Sequence, residues 1–122
     1  MTSVLIIEDS HVVTALLESA LASDTCSVHT TKRWQAGLQL LREQAFDVVI
    51  ADIVMPDIVG FEVIMEINSL VPRPRVIAMS GYTGSQDHVY QSVMADSLSV
   101  QCLLYKPFSM KKLLESVFLC EV

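Results

Sequence analysis

Asp47-Val48-Val49-Ile50-Ala51-Asp52 is a run of four apolar residues closed at each end by a carboxylate. An unbroken apolar run rich in β-branched residues suits a strand buried on both faces, because a strand with one wet face would alternate apolar with polar. A second run of the same kind, Val4-Leu5-Ile6-Ile7, leads directly into Glu8 and Asp9. Both fall far short of the roughly 18 apolar residues that a membrane span requires.

Three further short segments complete a set of five expected strands: Ser3 to Ile7, Cys26 to Thr30, Asp47 to Ala51, Arg75 to Met79 and Gln101 to Leu104. Helical spacing fills the intervals. Val12, Leu16, Leu17 and Ala20 share a face of a first helix, and Ala36, Leu38, Leu40 and Leu41 mark a second. Phe61, Ile64, Met65 and Ile67 mark a third, Val89, Val93 and Met94 a fourth, and Leu113, Leu114, Val117 and Phe118 a fifth. A strand-then-helix alternation repeated five times implies a doubly wound α/β architecture, a parallel sheet with helices on both faces and right-handed crossovers. Pro72-Arg73-Pro74 and the stretch Ser80 to Ser85 read as loops around the fourth strand.

With 122 residues, 52% of them apolar and 18% charged, the chain is expected to form one domain over 1–122 with its own core. The start does not resemble a signal peptide, so the expected location is cytoplasmic. Three cysteines, Cys26, Cys102 and Cys120, show no paired spacing and read as small apolar fillers rather than a disulfide or zinc framework. His11, His29 and His88 show no metal spacing, and Trp34 and the methionines read as packing residues. A net charge of −6 without a run of Lys or Arg argues against direct nucleic-acid binding.

In an open parallel sheet, functional groups gather beyond the carboxyl ends of the strands. Glu8 and Asp9 follow the first strand, Asp52 the third, Ser80 the fourth and Lys106-Pro107 the fifth. Three neighbouring carboxylates repel one another unless a cation offsets them. An oxygen-only donor set without His or Cys selects a hard ion, and few carboxylates alongside water suit Mg²⁺. A carboxylate held in that setting is a nucleophile toward phosphorus, with Lys106 placed to pair with one phosphoryl oxygen and the Ser80 hydroxyl to donate to another.

Taken together, Glu8-Asp9, Asp52 with Met55-Pro56-Asp57 and Gly60, Ser80-Gly81, and Lys106-Pro107-Phe108 resemble the receiver domain of two-component response regulators over almost the whole chain. The resemblance implies a flavodoxin-like fold with strand order 2-1-3-4-5. It implies that Asp52 is phosphorylated by a histidine kinase or phosphotransfer protein. It also implies that Asp9, Asp52 and the Val54 main-chain carbonyl ligate Mg²⁺, that Glu8 acts through water, and that the Lys106–Pro107 peptide is cis. Such a domain signals rather than catalyses. It shifts the face made by the fourth helix, fifth strand and fifth helix toward a downstream effector, as a monomer or a phosphorylation-dependent dimer, with no membrane partner. Nothing after Phe118 is long enough for an effector domain, so the output is expected through docking or from a longer chain.

Several positions depart from the family pattern. Leu103 stands where an aromatic residue usually reports phosphorylation, and Ser99-Val100 replaces a common Gly-Ala pair. Val54 and Tyr82 flank the path of an attacking water and are poorly suited to orient it, which points to slow decay of the acyl phosphate. Leu103 also keeps open a module that signals by contact without phosphorylation. A phosphohydrolase with an aspartyl nucleophile is disfavoured, since Val54 cannot replace the general acid such enzymes hold two residues on. Flavin binding is disfavoured because Glu8-Asp9 would repel a phosphate at the first strand end.

Overall fold

The computed structural model describes residues 2–52, 66–81, 102–106 and 109–119. Five strands, β1 (Thr2–Ile7), β2 (Cys26–Thr31), β3 (Val48–Asp52), β4 (Arg75–Gly81) and β5 (Cys102–Lys106), pair in parallel in the order β2-β1-β3-β4-β5. Three helices are described, α1 (His11–Leu21), α2 (Trp34–Glu43) and α3 (Met110–Leu114), the last continuing as a π-helical turn, Glu115–Leu119. Of the expected third helix only the turn at 66–69 belongs to the described residues, and the expected fourth helix lies outside them.

The apolar runs behave as strands buried on both faces. Alternate residues point to opposite sides, so Leu5, Ile7, Val49, Ala51, Val76 and Ala78 enter one core with Trp34, Leu38 and Leu41 of α2, together with Phe46 and Ile67. Val4, Ile6, Val48, Ile50, Ile77 and Met79 enter the other with Leu17 and Leu21 of α1, Leu113 of α3 and Val117. The sheet is thus sandwiched between α2 on one side and α1 with α3 on the other.

Expectations about three helix faces need correction. On α1 the buried row is Leu17 and Leu21, with Val13 and Ala20 packed beside it, whereas Val12 and Leu16 are 70% and 54% exposed. Both rows have four-residue spacing, and the one aimed at β1 and β3 is selected by packing, not by local pattern. On α2 the buried set is Trp34, Gly37, Leu38 and Leu41, while Ala36 is exposed and Leu40 only partly covered. Phe118, expected on the core face of the last helix, is 40% exposed, since Leu113 and Val117 occupy that row.

The strands also run further than expected. Ser80 and Gly81 extend β4 and pair with Tyr105 and Lys106 of β5, so this stretch begins as strand and not as loop. Ladder partners on the neighbouring strand outweigh the turn preference of Ser-Gly.

Candidate functional site

β1 ends at Ile7, and the Glu8 amide continues its line by donating to the Thr31 carbonyl at 3.0 Å. The chain then turns into α1. Ser10 caps that helix, its hydroxyl accepting from the Val13 amide at 3.4 Å, and the Ser10 amide donates to Glu8 Oε2 at 3.1 Å. The turn therefore bends the Glu8 side chain back over the strand end while leaving Asp9 on the rim. Glu8 is 1% exposed and Asp9 is open to solvent.

Asp52 is the last residue of β3, paired with Met79 of β4, and is 6% exposed. Because β3 lies beside β1 with Ile7 opposite Ala51, its carboxylate reaches the other two. One carboxylate oxygen from each of Glu8, Asp9 and Asp52 lies within 4.8 Å of the others. Two buried carboxylates and one exposed carboxylate at that spacing repel strongly when ionised. The donor chemistry fits a hard divalent ion bound partly through water, the class to which Mg²⁺ belongs.

One participant was not legible as such in the sequence. Trp34, fully buried at the start of α2, donates its indole N–H to the main-chain carbonyl of Asp52 at 3.0 Å. Its expected role was packing alone. The only local signal is a large residue with a polar tip at a helix start, which does not reveal a partner 18 residues away.

Ser80 and Lys106 stand with their main chains on the last rungs of β4 and β5, Lys106 opposite Gly81. Their side-chain roles lie outside what is described, as do Val54, Tyr82, Ser99, Val100 and the Lys106–Pro107 peptide. Leu103 pairs with Ala78 through its main chain. A cleft of about 320 Å³ lined by Leu41, Phe46, Leu70, Val71, Pro72 and Pro74, among others, lies at the opposite, amino-terminal edge of the strands. Its charged lining is Arg42 and Glu43, whereas the carboxylates that converge closely enough to share an ion among the described residues stand at the other edge, so the acidic rim is the better candidate site.

The model of the response regulator receiver domain matches residues 4–118. The chain belongs to this family. The receiver domain is similar to the cell cycle response regulator CtrA of Brucella ovis, 29% identical over 86 residues, which covers 70% of this chain and 37% of the relative. The CtrA of Brucella abortus (strain 2308) matches with the same identity and coverage. The receiver domain thus spans little more than a third of the length of these curated relatives. Among solved structures, it resembles the signal receiver domain of an HD domain-containing protein from Pseudomonas fluorescens Pf-5, with a TM-score of 0.83 and 20% identity over 98% of this chain and 93% of that one. It also resembles a response regulator receiver domain from Clostridium thermocellum, with a TM-score of 0.80 and 25% identity over 98% and 94%. The receiver domain is a signalling domain of two-component systems, with a flavodoxin-like α/β fold. Among its described residues no helix is long and apolar enough to cross a membrane.

Proposed function

We propose that this receiver domain accepts a phosphoryl group on Asp52 in a Mg²⁺-dependent reaction, from a histidine kinase or phosphotransfer protein. The reading rests on one observation, the convergence of Glu8, Asp9 and Asp52 within 4.8 Å at the carboxyl edge of the sheet. An Asp52 oxygen attacks phosphorus, the bond from phosphorus to the donor breaks, and the donor leaves with its electron pair. The product is an acyl phosphate on β3. When bound, Mg²⁺ supplies positive charge that offsets the phosphoryl oxygens and aligns the group for transfer. Asp9, Asp52 and the Val54 carbonyl hold that ion, and Glu8 contributes through water. Lys106 pairs with a phosphoryl oxygen, and the Ser80 hydroxyl donates to another.

The acyl phosphate biases two arrangements of the face formed by the fourth helix, fifth strand and fifth helix, because phosphoryl contacts differ between them. A downstream effector protein or domain reads that shift. The setting is the cytoplasm, the output is signalling and not turnover, and the domain works as a monomer or as a dimer formed on phosphorylation.

The test is intact mass after incubation with Mg²⁺ and acetyl phosphate. The wild type is expected to gain one phosphoryl group and Asp52→Asn none. An unmodified wild type refutes the proposal and favours the contact-only module, and steady turnover of a phosphomonoester favours a phosphohydrolase.

A further inference from the structure

We infer that Trp34 is a positioning residue for Asp52: its indole N–H holds the main chain at the end of β3 and so sets where the Asp52 carboxylate stands relative to Glu8 and Asp9. The inference rests on the reading of Asp52 as phosphoacceptor and adds a residue outside the acidic set.

The ladder between β1 and β3 stops at the pair Ile7 and Ala51, one residue short of Asp52. Past that rung, the relative placement of the two strand ends depends on contacts other than the β1–β3 ladder. Helix α2 touches both. Gly37, one turn into α2, lies so close to β1 that a Cβ there would fall 2.5 Å from Ile7 Cδ1 and 2.8 Å from Ile7 Cγ1. Ile7 is the residue before Glu8. Trp34, at the start of the same helix, reaches the Asp52 carbonyl at 3.0 Å. A single rigid element thus packs on the Ile7 side chain, one residue before Glu8, and hydrogen-bonds the backbone of Asp52.

The chemistry of the side chain supports this reading. Volume alone would be met by Phe in a cluster already containing Leu5, Ile7, Val49 and Ala51. An indole buried to 0% exposure carries a donor that must find an acceptor, and here that acceptor belongs to the phosphoacceptor itself. Groups that orient a metal ligand from behind typically affect metal affinity by about tenfold or more when removed.

The experiment compares wild type, Trp34→Phe and a protein in which Trp34 is replaced by benzothienylalanine, which keeps the ring shape with sulfur in place of N–H. Mg²⁺ affinity is read by calorimetry, phosphoryl uptake from acetyl phosphate by intact mass, and folding by urea unfolding. Both replacements are expected to bind Mg²⁺ roughly tenfold more weakly and to take up phosphoryl more slowly at subsaturating Mg²⁺. As Trp34 is the one tryptophan, wild-type emission is expected to move along the calorimetric Mg²⁺ curve. The sulfur isostere decides the matter if the Phe variant fails to fold. Unchanged Mg²⁺ affinity in a folded isostere, or emission flat through Mg²⁺ saturation, overturns the positioning role while leaving phosphorylation of Asp52 intact. A wild type that neither binds Mg²⁺ nor gains mass overturns the phosphoacceptor reading, and this inference with it.

Discussion

Removing the charge of Asp52 is expected to stabilise the metal-free protein. Asn has the shape of Asp without its charge, and the contact from Trp34 goes to the main chain, so Asp52→Asn isolates the electrostatic effect. At the 4.8 Å limit on the separation of the three ligand oxygens, one ionised pair repels by about 1 kcal/mol at the dielectric of water and by about 3.5 kcal/mol at an effective value of roughly 20. Glu8, buried beside Asp52, belongs nearer the second figure, and solvent-exposed Asp9 nearer the first. Weaker hydrogen bonds to a neutral amide offset about 1 kcal/mol. The net gain at neutral pH in EDTA is therefore up to about 3.5 kcal/mol, or a urea midpoint raised by about 1–2 M. Mg²⁺ should narrow the difference, because the wild type gains about 2.7 kcal/mol at a hundredfold excess over Kd and the variant, having lost a ligand, gains less. Urea unfolding of both proteins, with EDTA and with Mg²⁺, reads the narrowing. Equal midpoints in EDTA together with equal gains from Mg²⁺ would refute the reasoning, since the carboxylates would then neither repel nor share an ion.

Gly37→Ala gains about 1 kcal/mol of helix propensity but forces its methyl against fully buried Ile7, so a net loss of up to about 2 kcal/mol is expected by urea unfolding. Adding Ile7→Val removes the atom at 2.5 Å, and the double variant should be more stable than the sum of the single losses by about 1 kcal/mol. Burial first and the nearby Asp47 carboxylate second push the Cys26 thiol above its ordinary range. A group raised on folding contributes stability that is whole below its unfolded value and is lost as pH climbs toward the folded one. Wild-type stability should thus fall as pH rises above about 8.5 more steeply than that of Cys26→Ala, measured by urea unfolding at increasing pH. Val54→Asn and Tyr82→Glu should each shorten the lifetime of the acyl phosphate, followed as loss of the added mass after the donor is removed. An unchanged lifetime in both removes the link between these side chains and the hydrolytic water.

The acidic set was legible because its members sit beside the strongest local signals in the chain. Glu8, Asp9 and Asp52 each adjoin an apolar run too long for one-sided burial, and in a parallel α/β sheet such strand ends share one edge. Trp34 was not legible as a partner of Asp52, because its hydrogen bond joins a helix start to a strand end through folding alone. Of the four residues expected on the buried face of α1, Leu17 and Ala20 do face the core, and Val12 and Leu16 are exposed for a related reason. Val12 with Leu16 and Val13 with Leu17 are equally good apolar pairs, and only the neighbouring strands discriminate between them.

Composition and periodicity by themselves determined five strand-like runs, helices between them, and the placement of each candidate group at a strand end, since these follow from local burial patterns along the chain. Composition and periodicity left the strand order open; the family resemblance implied 2-1-3-4-5, and the tertiary structure has β1 between β2 and β3, which brings residues 8 and 52 within reach of one ion. Tertiary structure alone decided that α2 seats its indole under Asp52. The physical reason is that strand order, register and the choice of buried helix row are properties of pairs of surfaces, whose free energy exists only once distant segments have met.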